Sequence, residues 1–186
     1  MAKESADFVK KYVYLGILFI SLLGSLIHFL YDLSGKSLLV GLIAPINESV
    51  WEHLKLPLVP TLLWWLGGFM IVGRKKKINF TRWFISTIVA LVVCPLFIVS
   101  FHYTYRGALG LQSVVLDILS FFLGTAAAQL LALHIYLHAA QKKSYFYLAV
   151  FLLLALISAF LVFTFVPPRY PLFRDAKTGE YGLVEE

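Results

Sequence analysis

The stretch LPLVPTLLWWLGGFMIVGRKKK, residues Leu56 to Lys77, decides the kind of protein this is: an apolar run without one charge ends abruptly in Arg74, Lys75, Lys76 and Lys77. Roughly 18 to 20 apolar residues are what a helix needs to cross a hydrocarbon core, and a terminal knot of cations marks the end that stays in the cytoplasm. Comparable runs cover Tyr12 to Tyr31, Trp83 to Phe101 and Tyr145 to Val166. A fourth, Ile118 to Leu133, reaches spanning length when extended back through Asp117 to Leu111 and forward to Tyr136. With 60% hydrophobic and 14% charged residues, the chain lies far from soluble averages. The runs are continuously apolar, which excludes the alternating short segments of a membrane barrel. The expected fold is therefore all-α, a polytopic membrane helix bundle forming one integral domain. Its five transmembrane helices are expected at about 9–31, 48–73, 80–102, 111–138 and 144–166, with a tail at 167–186.

Orientation follows from the cations in the short connections. Lys3, Lys10 and Lys11 precede the first span, Arg74 to Lys77 and Arg82 flank the second connection, and Lys142 and Lys143 follow the fourth span. All three groups belong inside. The N-terminus is then inside and the tail outside, in an inner, cytoplasmic membrane. Ser37 to Ile46 is apolar but too short to cross and ends at Pro45, so it reads as a re-entrant or interfacial segment tucked against protein. The first run is longer than a signal peptide requires and no small-residue cleavage site follows it, so it is read as a retained helix. The formal charge of +6 resides in these topological clusters. The bilayer is thus the expected partner, with self-association or another membrane subunit beside it, and nucleic acid is not. Cys94 is the single cysteine, which excludes paired-thiol chemistry within the chain.

The densest chemistry lies in Pro45-Ile-Asn-Glu-Ser-Val-Trp-Glu-His-Leu-Lys55. Asn47 would cap the second helix, and on a helix Glu48 and Glu52, four apart, would share a face with Lys55 beside them. The first helix adds Tyr31, Asp32 and His28 near its outer end, the third ends in His102 and Arg106, and the fourth begins near Asp117. Topology delivers all of them to one side of the bilayer. Ionisable groups at membrane depth are functional candidates, and Glu with His are oxygen and nitrogen ligands that suit a divalent metal such as zinc. The expected ligands are His28, His53 and His102, with Glu48, Glu52 and Asp32 as catalytic carboxylates. Asn47, Asp117, Lys55, Arg106 and Tyr31 would complete the polar pocket. At the opposite side His134 and His138 stand one turn apart, a pair that reads as interfacial.

The segments His28-Phe-Leu-Tyr-Asp-Leu-Ser-Gly35 and Ala44 to Lys55, with the tail Pro167 to Gly182, resemble a family of small bacterial membrane proteins known only as a domain of unknown function. That resemblance implies a bacterial inner membrane and no activity. Ser25, His28, Asp32, His134 and His138 superficially resemble the metal-site pattern of the seven-helix alkaline ceramidase and adiponectin-receptor superfamily. The helices here are too few, and His28 and His134 fall on opposite sides. Three functions remain open at this level: a metal-dependent membrane hydrolase, a small solute-binding or transport component, and an accessory or assembly protein. Whether the chain is an enzyme is not decided by its sequence.

Overall fold

The computed structural model describes residues 2–73, 75–140 and 142–183. Arg74 of the basic cluster and residues 184–186 of the tail lie outside the described residues. The described chain is all-helical. Its five long helices are long and apolar enough to cross a membrane. They are α1 (Ala2–Ile27), the nearly continuous pair α4 (Val50–His53) and α5 (Lys55–Val72), α6 (Phe80–Leu109), α7 (Val114–His138) and α8 (Lys143–Phe165). Between α1 and α4 the chain makes only two single-turn helices, α2 (Leu30–Leu33) and α3 (Leu38–Gly41).

Local chemistry sets the helix ends. Ser49, Asn79 and Ser113 have extended backbones, and their side chains accept the N–H of Glu52, Arg82 and Leu116, respectively. Each thereby caps donors that the first turn leaves unpaired. The cap of the second span is thus Ser49 and not Asn47, whose side chain is occupied by the N–H of Ser49 and the carbonyl of Gly182. The α4–α5 break at Leu54 has a cause in Pro57, which has no N–H to return to the carbonyl of His53. Gly110, at φ 65°, closes α6 in the left-handed conformation. The helix therefore runs beyond the expected limit near 102, and His102 lies within its last turns.

The bundle core is formed by α1, α5, α6 and α7, with α6 and α7 most extensively packed and α8 against α6 on one side. Leu18, Leu22 and Leu26 on α1, and Phe151 and Leu154 on α8, stay exposed. In a bilayer those faces meet lipid. Two buried indoles are paired within the core. The Trp65 indole donates to Gln129 at 3.0 Å, and that of Trp83 to the Trp65 carbonyl at 2.9 Å. Near one end Gly24 is tight against α5 and α7: a Cβ there would stand 2.5 Å from the Leu56 carbonyl oxygen and 2.7 Å from the Phe121 ring. The Leu56 carbonyl has no helical partner, since the residue four on is Pro60.

The non-spanning segment is held by charge. Lys55 and Glu52 are both buried, 2.6 Å apart. Lys55 also donates to the carbonyls of Gly41 at 2.6 Å and Ala44 at 3.5 Å, while Glu52 accepts the Ile46 N–H at 3.0 Å and the Thr164 hydroxyl at 3.3 Å. One ion pair thus joins α4 and α5, the loop after α3, and α8. Removing one member strands the other charge, typically costing ~3–5 kcal/mol, more than a neutral replacement of both. Lys55→Met should accordingly lower the melting temperature in detergent sharply, and the double variant Glu52→Gln/Lys55→Met should recover part of it. Equal melting of Lys55→Met and the parent would contradict this role.

Candidate metal centre

His28 immediately follows α1 and keeps its helical bond, its N–H donating to the Gly24 carbonyl at 3.2 Å. His53 closes α4, and its Nδ1–H donates to the Ser49 carbonyl at 2.8 Å. That bond turns Nε2 outward and, in the neutral ring, leaves the lone pair there. Glu48 precedes the cap of α4. Consequently Glu48 and Glu52 do not share a helical face, because the helical spacing begins only after Ser49. Glu52 points into its buried pair with Lys55, and Glu48 toward the histidines.

The three side chains converge. His28 Nε2 and His53 Nε2 are 3.1 Å apart, and Glu48 Oε2 lies 3.3 Å from His53 Nε2 and 4.0 Å from His28 Nε2. One ligand atom from each residue lies within 4.8 Å of the others. All three side chains are about one-third exposed. With its proton on Nε2, a neutral His28 can donate to the lone pair of His53 Nε2, which leaves the Glu48 oxygen as a further acceptor facing the pair. A proton can bridge one pair of atoms, whereas a divalent ion can engage all three.

The tail sets the carboxylate. Lys177 donates to Glu48 Oε1 at 2.8 Å, leaving Oε2 for the histidines. Asp175 Oδ1 accepts the backbone N–H of Glu48 at 3.2 Å and that of Lys177 at 3.0 Å, and Oδ2 accepts the Thr178 hydroxyl at 2.7 Å. Phe173, in the single turn Pro171–Phe173, packs on Trp51 at 4.9 Å between ring centroids. His28 and Glu48 lie just beyond the spans Ala6–Ile27 and Val50–Val72. When His53 is protonated on Nε2 as well, its bond does most to pull the Glu48 carboxyl down to about 2; burial opposes this, and Lys177 adds to the pull. Burial first, then the neighbouring His53, hold the His28 imidazole below its ordinary value, against the pull of Glu48. Asp175 is likewise held low: burial opposes, but the hydrogen bonds from Lys177, Thr178 and Glu48 prevail.

A second cluster stands at the same end of the bundle. His102 Nδ1 lies 2.7 Å from Asp117 Oδ1, the Tyr105 hydroxyl donates to that oxygen at 2.9 Å, and Arg106 Nη2 is 3.6 Å from Oδ2. His102 is buried and committed to Asp117, so it stands apart from the three converging ligand atoms. Of the remaining expected site residues, Asp32 is exposed on α2, and Tyr31 is buried in the apolar cluster of Ile27, Ala44 and Leu56. Asn47 ties the cap to the tail, and Lys55 holds Glu52. At the other end, His134 and His138 have rings 4.4 Å apart, and His138 Nδ1 donates to the His134 carbonyl. Lys177 and Asp175 escape a reading by hydropathy. The pattern Asp175-x-x-Thr178-Gly179 is a turn signature, but nothing in it names Glu48 as its partner.

Residues 1–183 match the model of a family whose function is unknown, DUF6512. The chain belongs to this family. No curated protein and no solved structure matches it. Glu48 and Asp175 are both depressed from ordinary values of 4.5 and 3.8, so their ionised forms favour the docked tail. That contribution is complete above about pH 4.5 and is lost as pH falls toward 2. Tryptic cleavage at Lys177 should be slow at neutral pH and faster in Asp175→Ala. In Glu48→Gln the acid limb of thermal stability should flatten; an unchanged limb would contradict the assignment.

Proposed function

We propose that the chain is a membrane-embedded, metal-dependent hydrolase, one integral domain whose metal is held by His28, Glu48 and His53. The observation that carries this reading is the convergence of two imidazole nitrogens and one carboxylate oxygen at a half-open site. Two His and one Glu leave a fourth position for water on tetrahedral zinc, and zinc lowers the pKa of that water until hydroxide forms near neutrality. His53 is the better prepared ligand, since its bond to the Ser49 carbonyl fixes ring and tautomer as an outer-shell acceptor does in metal sites. The Nδ1 of His28 is buried without a protein partner. The substrate would be a hydrolysable ester or amide presented at the membrane surface, because the site lies at the polar end of the spans.

That end is the outer one on the charge pattern. Lys10, Lys11, Lys75, Lys76, Lys77, Arg82, Lys142 and Lys143 sit at the opposite ends of the same helices, and this charge pattern supports a reading in which those ends face the cytoplasm and the site faces the outer side of an inner membrane.

Elemental analysis of protein purified from zinc-replete cells tests the metal reading. The expected result is about one zinc per chain, with affinity reduced at least tenfold in Glu48→Ala and His53→Ala and less severely in His28→Ala, scaled from losses of ~10–100-fold for outer-shell changes alone. Protein that carries no zinc and takes up none in calorimetric titration would remove the hydrolase reading and leave transport or assembly roles for the same polar end.

A further inference from the structure

The tail is closed on itself. The Asp175 N–H donates to the Glu180 carbonyl at 2.9 Å, the Gly179 N–H to the Asp175 carbonyl at 3.0 Å, and Arg174 pairs with Tyr181 in an isolated antiparallel bridge. Arg174 Nε adds a bond to the Gly179 carbonyl at 3.1 Å. Pro167 and Pro168, whose rings fix φ, join this unit to the end of α8. A segment bonded within itself in this way docks as one body, so its contacts on the rest of the protein are made or lost together.

Those contacts reach two of the three converging side chains by separate routes. The route to Glu48 is direct: Asp175 Oδ1 accepts its N–H at 3.2 Å, and Lys177 donates to Oε1 at 2.8 Å. The route to His53 passes through the helix cap. Asn47 Nδ2 donates to the Gly182 carbonyl at 2.9 Å, Asn47 Oδ1 accepts the Ser49 N–H at 3.0 Å, and the Ser49 carbonyl accepts Nδ1–H of His53 at 2.8 Å. Phe173 completes the seat, its ring centroid 4.9 Å from that of Trp51 and 5.3 Å from that of Phe163. His28 enters from the end of α1 and shares none of these bonds.

Resting on the metal reading above, we infer that the tail is a strap coupled to that site: an ion held by His28, Glu48 and His53 fastens the tail, and a released tail loosens the ion. Such coupling is reciprocal, so the factor by which the ion favours docking equals the factor by which docking favours the ion. Its sign follows from how the contacts divide. Binding needs Oε2 of Glu48 and Nε2 of His53 held together, and with the tail undocked the cost of ordering them falls on the binding step. Lys177 opposes this, because an ammonium and a metal ion repel. Its side chain is 73% exposed, so water screens the repulsion, and it engages Oε1 and leaves Oε2. The contacts at Phe173 and Gly182 carry no charge, and Asp175 brings an anion to the same place. Ordering therefore prevails, and occupancy of the site is expressed at the membrane surface as the state of the tail.

The test uses full-length protein in detergent, with zinc as the probe and tryptic cleavage at Lys177 as the readout of docking, since cleavage tracks the undocked fraction when docking equilibrates faster than cutting. Saturating zinc should slow this cleavage roughly tenfold, within the usual range of coupling between two sites. His28→Ala should abolish the protection and leave the metal-free rate unchanged, which also controls for any action of zinc on the protease. Phe173→Ala alters neither charge nor ligand; it should speed metal-free cleavage and weaken zinc binding severalfold in calorimetric titration. Asp175→Asn serves as a second variant, and the melting temperature of each is compared with the parent to establish that it folds. Zinc bound by the parent without protection of Lys177 overturns the coupling and leaves the metal site standing. Faster cleavage with zinc overturns it too, since Lys177 and the ion would then compete for Glu48. A folded Phe173→Ala protein that is cleaved fast yet keeps the parental zinc affinity does the same. A parent that binds no zinc removes the metal reading and the coupling together.

Discussion

The rest of this end of the molecule depends on the buried pair of Glu52 and Lys55. Two charges withdrawn from water are tolerable only when every remaining hydrogen-bonding position is filled, and here the neighbours fill them: the carbonyls of Gly41, at the end of α3, and of Ala44 on the ammonium, the Ile46 N–H and the Thr164 hydroxyl on the carboxylate. The segment between α1 and α4 is too short to span and too apolar to float free. Fastening its carbonyls to Lys55 satisfies backbone that lipid would leave unpaired. The same bonds hold α8 to α4 at Thr164.

That pair also explains how one turn of helix serves two purposes. Glu52 faces inward to Lys55 while His53, the next residue, faces the converging ligands. Trp51, stacked at 4.4 Å on Phe160, faces α8 and the tail. Because the interior takes Glu52 and the tail side takes Trp51, His53 is left on the sector that looks toward His28. The geometry of the candidate centre is thus a consequence of a structural network, not an independent feature laid over it.

The spans were legible from the apolar runs alone, and the gathering of His28, Glu48, His53, His102 and Asp117 at one end followed from counting cations between them. The pairings were not legible, and the reason is specific. Glu48 and Glu52 look like helical neighbours only if the helix begins at Asn47. Asn47 instead binds Ser49 and Gly182, the cap moves to Ser49, and the two carboxylates separate. His102 was a candidate ligand by level, but level along a helix says nothing about azimuth, and its azimuth is fixed by Asp117. The contribution of Lys177 was hidden for a different reason: it depends on a tail whose docking rests on long-range contacts at Phe173, Asp175 and Gly182, none of which leaves a periodic signal.

The charge balance at the centre bears on what it can hold. Glu48 is the only carboxylate among the three converging side chains, and Lys177 already neutralises much of it through Oε1. A hard cation such as calcium or magnesium seeks several oxygens and would find one here, opposed by an ammonium. A borderline ion that accepts imidazole nitrogen loses little by this arrangement, since two of its ligands are neutral and the third needs only Oε2. With Oε1 engaged by Lys177, Glu48 would offer an ion one oxygen and not two. An open position is what separates a reactive zinc site from a structural one, and an ion held here through Oε2 would owe that opening to Lys177 of the tail, which engages Oε1.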